Sequence, residues 1–437
     1  MNPTEIYKLY IKKEPRICID SRSKEIENSV FFAIKGTQFD GNNFAEEAIK
    51  KGAKIAIVDN KKKLSKYCIL VDDVLKTLQT IAKIHRQKYN IPIIGITGSN
   101  GKTTTKNMLT TILASEYNTM STQGNFNNHI GVPLSLLSLR EEHEIGVIEM
   151  GANHIGEIQG LCEIVKPTHG IITSIGDAHI GEFGSKENII KAKNELFKYL
   201  KKNNGWIIYN ANDPILKKLI NNYTKTITYQ IPVLRKKPKK YVLKEFEYQC
   251  NPFIEINHPN LGDIKTQILG KYNINNIISA ITIADLFQVP KEAIKKSLKN
   301  LKLRNNRSEF IETDRNTIIL DAYNANPTSM SSGVVNFIEI YQYLNHEKVW
   351  FILGDMLELG DKTIEYHQAI IEILKKNNIQ NCILVGELFN KIISENYQKV
   401  KSIKECIELV SKLKINNASI FIKGSRSLKL EKIVSYL

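Results

Sequence analysis

The stretch Ile91-Pro-Ile-Ile-Gly-Ile-Thr-Gly-Ser-Asn-Gly-Lys-Thr-Thr-Thr-Lys106 joins an apolar run to a glycine-rich turn and then to a threonine-rich segment. The uninterrupted apolar residues 91–96 read as a strand covered on both faces, as in a parallel sheet. Gly98, Ser99, Asn100 and Gly101 then let backbone amides turn inward. A helix starting at Lys102 aims its partial positive end at the same point. That layout cradles phosphate. Lys102 is placed to reach the outer phosphates, and the Thr103 hydroxyl, followed by Thr104, is placed to ligate Mg2+. A nucleoside triphosphate is therefore the expected ligand.

The motif departs from the longer phosphate-loop pattern, which wants glycine where this chain has Ile96. Glycine-rich strand-to-helix turns also occur without nucleotide. The strand before this one and its Lys-Thr ending favour the nucleotide reading.

The rest of the chain sets limits. A chain of 437 residues has room for several domains. Its 42% hydrophobic and 24% charged content is ordinary for a globular protein. A membrane span needs about 20 apolar residues, and no run approaches that. Residues 1–16 lack the apolar centre of a signal peptide. The six cysteines are scattered, without a Cys-x-x-Cys pair. A reduced, cytoplasmic protein without structural zinc is expected. The formal charge of +16 is mostly lysine spread along the chain. Its densest run, Arg235-Lys-Lys-Pro-Lys-Lys240, reads as a solvated hairpin or loop, so no nucleic-acid partner is expected.

Three blocks follow from the pattern: 1–89, 90–303 and 304–437. The first holds short strand-like pieces (18–19, 30–34, 55–58, 68–71) and a helical stretch, 74–88. Asn90-Ile91-Pro92 reads as a hinge. The second alternates strands (144–150, 170–175, 205–209) with helices, which implies a parallel sheet covered on both faces. A β-rich section at 224–269 and a helix at 273–287 close it. The third repeats the alternation, with strands at 318–321, 349–353, 382–385 and 419–423 and a last helix after Ser427. The fold class is α/β: a small N-terminal α/β domain, a central phosphate-loop domain and a Rossmann-like C-terminal domain.

Strand ends carry the chemistry. Val147-Ile-Glu149-Met-Gly151 ends a strand in a carboxylate beside the phosphate loop, where it can hold a metal or cap the backbone. His179, in Ile175-Gly-Asp-Ala-His179, follows another strand end; a lone histidine is more often structural, but this position faces the ligand crevice. Lys193, in Lys191-Ala-Lys193-Asn-Glu195, lies on an amphipathic helix, and composition alone makes it an ordinary solvated lysine. Leu320-Asp321-Ala-Tyr-Asn-Ala-Asn326-Pro327, Asp355 and Lys423-Gly-Ser-Arg426 put polar groups at three strand ends of the last block. That suggests a second face closing over the first.

Together these motifs resemble the Mur ligase family, ATP-dependent amide-forming enzymes of peptidoglycan precursor synthesis and hence of cell-wall growth, cell shape and cell division. The family's phosphate loop has the shorter form Gly-x-x-Gly-Lys-Thr, which Gly98-Ser-Asn-Gly-Lys-Thr103 matches. The carriers in the last block are Tyr323-Asn-Ala-Asn-Pro327, Gly354-Asp-Met-Leu-Glu-Leu-Gly360 and Lys423-Gly-Ser-Arg-Ser427. They resemble the branch that adds D-alanyl-D-alanine to UDP-N-acetylmuramoyl-tripeptide through an acyl phosphate. The Asp-Asn-Pro-Arg motif of the diaminopimelate-adding branch is missing.

The resemblance assigns roles. Lys193 falls in an Ala-Lys-x-Glu motif whose lysine is carbamylated, which suits a second Mg2+. Glu149 and His179 match the other metal positions, so Lys102, Glu149, His179 and Lys193 form the implied catalytic set. Asn273 and Asn276, in Gly270-Lys-Tyr-Asn-Ile-Asn-Asn276, match an ATP motif in which Tyr272 replaces a frequent His. Arg307 and Asp321 match positions that meet the nucleotide. Ser21, Arg22, Lys35, Gly36, Asp40 and Gly41 resemble the uridine diphosphate site. Asn125, Asn127 and Asn128 resemble the loop near the muramyl peptide, and Tyr323, Asn324 and Asn326 sit where further substrate contacts are implied. A monomer is expected. A folate-glutamylating ligase, a ligase adding the third peptide residue, and a phosphate-loop switch that only hydrolyses ATP are the competing readings.

Overall fold

The computed structural model describes every residue except 14, 231–246, 345 and 395. The basic run 235–240 lies outside the described residues.

Among the described residues four sheets organise the fold. The first is parallel and in chain order: Ile17–Cys18, Val30–Phe32, Ile55–Val58 and Cys68–Leu70. The central sheet has six parallel strands, in the order Thr226–Tyr229, Trp206–Asn210, His169–Ile172, Ile93–Thr97, Ile145–Glu149 and Thr119–Ser121. Ile93–Thr97 is fully buried, as its unbroken apolar sequence requires. The chain leaves it first towards one edge and later towards the other. Its C-terminal end is thus a topological switch point, where such sheets open a crevice.

Part of the expected β-rich section, Thr226–Tyr229, joins the central sheet. The rest is a separate antiparallel sheet of Glu247–Cys250, Phe253–His258 and Gly262–Leu269. Along its last strand Ile264, Thr266 and Ile268 are buried in alternation, the period of a half-covered strand.

The C-terminal sheet runs Glu309–Glu312, Asn316–Asp321, Ala418–Lys423, Lys348–Gly354, Cys382–Val385 and Gln398–Val400. Only the first strand is antiparallel to its neighbour. Three strands escape the sequence pattern: Thr119–Ser121, Glu309–Glu312 and Gln398–Val400. All are sheet edges of three or four residues, too short and too exposed to form an apolar run. The helix expected after Ser427 is a pair of 3-10 turns, Arg426–Leu428 and Leu430–Tyr436, anchored by Leu430 and Ile433.

Packing does not break where composition does. One core joins Phe32, Ile57 and Leu78 of the first block to Ile148, Ile172 and Leu196 of the second. Helix Val74–Arg86 packs on helices Gly131–Leu136 and Glu157–Val165. At its end the buried Arg86 guanidinium donates to Val165 O at 3.0 Å, Ile91 O at 3.1 Å, and Tyr89 O. The segment 90–92, expected as a hinge, is therefore fastened by a cation on the carbonyls of Ile91 and of Tyr89 just before it. A second core joins Met108 and Ile274 of the central block to Phe337, Phe351 and Phe421 of the C-terminal one.

Candidate active site

The phosphate loop leaves strand Ile93–Thr97 and enters helix Lys102–Leu113 with two residues that must be glycine. Gly98 has φ +146° and Gly101 φ +84°, and a Cβ on either would strike Thr173 Oγ1 or Asn276 Oδ1. Polar groups of the neighbouring loop fix the turn. Ser99 N donates to Ser174 O at 2.9 Å, Asn100 N to Ser174 Oγ at 3.0 Å, and Thr173 Oγ1 to Asn100 O at 2.6 Å. Lys102 Nζ folds over the loop, donating to Gly98 O at 2.6 Å and Ser99 O at 3.3 Å. Burial holds its pKa below the usual lysine range, and the Arg307 charge adds to that against the opposing pull of Glu149.

Glu149 ends the adjacent strand and is 1% exposed. Its Oε1 accepts from Thr103 Oγ1 at 3.0 Å and Asn127 Nδ2 at 2.8 Å. Among the described residues its Oε2 is buried without a hydrogen-bond partner. A buried carboxylate oxygen left bare is costly unless a cation faces it. Together with the Thr103 hydroxyl it makes an all-oxygen donor pair that fits Mg2+.

A cavity of about 850 Å³ opens over this loop. Ser99 to Thr104, Asn125, Asn127, Asn128, Glu149, His179, Asn273, Asn276, Arg307, Asp321, Tyr323 and Asn324, all expected from sequence, line it. Asn273 and Asn276 are buried and mutually bonded at 2.8 Å, and Asn276 accepts from Thr105 Oγ1 at 3.1 Å. They brace the nucleotide helix from below. Arg307 lies 3.6 Å over the Tyr323 ring, a cation–π stack that aims the guanidinium. Asp321 is gripped by Lys423 Nζ at 2.5 Å and by Ser308 N at 3.1 Å.

Other expected residues stand apart from the cavity lining. Lys193 lies behind the cavity wall, 2% exposed, with Nζ donating to Ala152 O at 3.1 Å and lying 5.2 Å from the Phe183 ring centre. Burial, reinforced by Lys102, pulls its pKa down to about 7. It is not the solvated lysine that composition suggests, because its helix packs that face inward. Asn326 instead reaches the loop itself, donating from Nδ2 to Asn100 Oδ1 at 2.8 Å. Ser21, Arg22, Lys35, Gly36, Asp40 and Gly41 follow strands of the first sheet, outside this cavity. There Arg22 pairs with Asp20 at 2.9 Å and Lys35 with Asp59 at 2.8 Å. Asp355, expected to point a polar group outward, turns inward and accepts from Leu388 N and Phe389 N at 2.9 and 2.8 Å.

His179 sits at φ +56° with Nδ1 2.5 Å from Glu358 Oε2 and 3.5 Å from Glu182 Oε2. Burial lowers its pKa, opposed chiefly by Glu358. Glu358 arrives from the C-terminal block, and nothing in its local sequence marks that partnership. Lys106, Asn275 and Thr173 were also missed. Asn275 Nδ2 bonds Thr173 O at 2.8 Å, and only the alignment of two distant segments reveals it.

This geometry is a phosphate-loop site shared by the central and C-terminal blocks, and comparison with known proteins gives its class. Residues 16–94 match the Mur ligase family, catalytic domain; 96–284 the Mur ligase middle domain; and 306–426 the Mur ligase, glutamate ligase domain. UDP-N-acetylmuramoyl-tripeptide--D-alanyl-D-alanine ligase of Bacillus subtilis is 35% identical across 96% of this chain and 92% of its own. The crystal structure of MurF from Acinetobacter baumannii superposes with a TM-score of 0.82 at 29% identity, covering 96% of this chain and 92% of that one. MurF ligase from Thermotoga maritima, in complex with ADP, gives 0.80 at 27% identity, covering 96% of each. The chain belongs to the Mur ligase family.

Proposed function

We propose that this chain is the ATP-dependent ligase joining D-alanyl-D-alanine to UDP-N-acetylmuramoyl-tripeptide, which yields the pentapeptide precursor of peptidoglycan. One observation carries the reading. A single cavity brings the phosphate loop, the half-bonded Glu149 carboxylate and the Tyr323-Asn324 pair together, in a chain 35% identical to the Bacillus subtilis ligase.

A carboxylate is a poor acyl donor, because oxide would have to leave. The tripeptide's terminal carboxylate oxygen therefore attacks the γ-phosphorus of ATP. The bond to the β-γ bridging oxygen breaks, ADP departs, and an acyl phosphate remains. The dipeptide's amine nitrogen then bonds the acyl carbon as the acyl carbon–oxygen bond to phosphate breaks, and the amine's proton leaves with the inorganic phosphate or to water. Lys102 and Arg307, both at the loop, offset the charge that gathers on the transferred group.

Bound Mg2+ would supply Lewis-acid stabilisation of the phosphoryl oxygens. Thr103 and Glu149 would hold one ion; His179 and a carbamylated Lys193 would hold a second. The Lys193 environment supports the carbamate, since only a neutral amine combines with CO2 and burial favours that form. Gly98 to Thr104, Asn273, Asn276, Arg307 and Asp321 serve ATP. Ser21, Arg22, Lys35, Gly36, Asp40 and Gly41 receive the uridine diphosphate end. Asn125, Asn127 and Asn128 receive the peptide, Tyr323 and Asn324 line the dipeptide side, and Asn326 ties that side to the phosphate loop. Within this reading the blocks 1–89, 90–303 and 304–437 act as three domains of a cytoplasmic monomer.

The test is ADP release with UDP-N-acetylmuramoyl-tripeptide, with and without D-alanyl-D-alanine. Release should require both. Release without the dipeptide would instead indicate a hydrolytic switch, and release supported only by folate and glutamate would indicate the other ligase class.

A further inference from the structure

Helix Lys102–Leu113 carries a lysine to which the chemistry above gives no task. Lys106 is 4% exposed and makes no ion pair among the described residues. Its Nζ donates to Thr122 O at 2.7 Å and Gly124 O at 3.3 Å. Burying an ammonium on neutral partners is expensive. A methionine would fill the same volume without that cost, so the charge is explained by what it holds.

What it holds is the start of the 122–128 loop. The far end of that loop is tied to Glu149, because Asn127 Nδ2 donates to Oε1 at 2.8 Å and Gly151 N donates to Asn127 O at 2.7 Å. The near end meets the same residue: Glu149 N donates to Thr122 Oγ1 at 2.9 Å. Thr103 lies three residues before Lys106, on the same helix face, and also bonds Glu149 Oε1 at 3.0 Å. Lys106, Thr103, Glu149 and the loop therefore close a ring. Asn125, Asn127 and Asn128 of that loop line the cavity.

We infer that Lys106 is a positioning residue for the acceptor substrate. It pins the 122–128 loop to the nucleotide helix, so that the loop's asparagines meet the UDP-linked peptide while the same helix holds ATP. The inference rests on the proposed function, which makes this loop the peptide-facing one.

Direct binding tests it without turnover. Calorimetric titration of UDP-N-acetylmuramoyl-tripeptide, and separately of a non-hydrolysable ATP analogue, would compare the wild type with Lys106→Met and Lys106→Arg. Lys106→Met should bind the peptide at least ~10-fold more weakly, with analogue binding within ~2-fold of wild type. Lys106→Arg, which keeps a charged donor, should recover most of the loss. In steady state the defect should appear in KM for the peptide before kcat. Unchanged peptide binding by Lys106→Met, or equal loss for both ligands, would overturn the inference. If Lys106→Met does not fold, Lys106→Gln takes its place, and peptide binding unchanged in that variant overturns the inference equally. A wild type that binds the peptide but does not release ADP in response to the dipeptide contradicts the proposed function and leaves the binding comparison standing. A wild type that does not bind the peptide overturns both.

Discussion

Asn326 Nδ2 donates to Asn100 Oδ1 at 2.8 Å, so the C-terminal block bonds the middle of the phosphate loop directly. The same asparagine caps helix Pro327–Ile340, its Oδ1 accepting from Ser329 N at 2.9 Å. One side chain thus sets a helix start and a domain contact.

The two tasks separate by mutation. Asn100→Ala removes only the contact, whereas Asn326→Ala also removes the cap. Both variants should raise KM for ATP. Only Asn326→Ala should lose stability, by about 1 kcal/mol, as read from urea unfolding.

Glu149→Gln keeps an oxygen to accept from Thr103 and Asn127 but removes the charge behind the unpartnered Oε2. The variant should fold normally by circular dichroism. Its Mg2+ requirement for ADP release should rise on the order of 100-fold. An unchanged Mg2+ titration would remove Glu149 from the metal site.

Lys193 gives a spectroscopic prediction. With 13C-labelled bicarbonate the wild type should show a carbamate resonance that Lys193→Ala lacks. Exhaustive removal of CO2 should lower wild-type activity reversibly. A Lys193→Ala variant of full activity would end the carbamate assignment.

Arg86 donates to carbonyls at the junction of the first two blocks. Arg86→Met leaves several buried acceptors unmatched and should cost about 3 kcal/mol in chemical denaturation. The loss should come as one cooperative transition, because a single core spans the junction. Independent melting of an N-terminal unit would contradict this.

His169 supplies a pH signature. Burial pushes its pKa down to about 4 from the ordinary 6.5, and its ring packs 5.0 Å from that of Phe287. Between those values the unfolded chain binds a proton that the folded one refuses, so stability rises with pH there. The contribution is complete above pH 6.5 and is lost as pH falls towards 4. A His169→Leu variant should unfold with a flatter pH dependence across that window.

Much of the site was legible because phosphate chemistry is local. Gly98 to Thr104 are contiguous, and a strand, a turn and a helix start suffice to form the cradle. Glu149 was legible because a carboxylate ending an apolar strand faces the ligand crevice of a parallel sheet. Lys193 was not legible by pattern, since an amphipathic helix does not say which neighbour covers it; only the resemblance to the Mur ligases raised it. Glu358 and Lys106 lie inside quoted motifs, but nothing local shows what they reach. The one partners a histidine nearly 180 residues away, and the other spends its charge on two backbone carbonyls. The short edge strands were lost for a related reason, as their partners rather than their composition make them strands.

The sequence by itself determined the phosphate loop, the alternation of strands and helices, and the carboxylate that ends the strand beside that loop. These depend on neighbours within a turn or a strand, where spacing dictates direction. Tertiary structure alone decided that Arg86 fastens the expected hinge, that Asp355 turns inward, and that Asn326, Lys106 and Glu358 reach across to other elements. Those contacts join residues far apart in the chain, and buried charges and amides find their partners only once the sheets have packed.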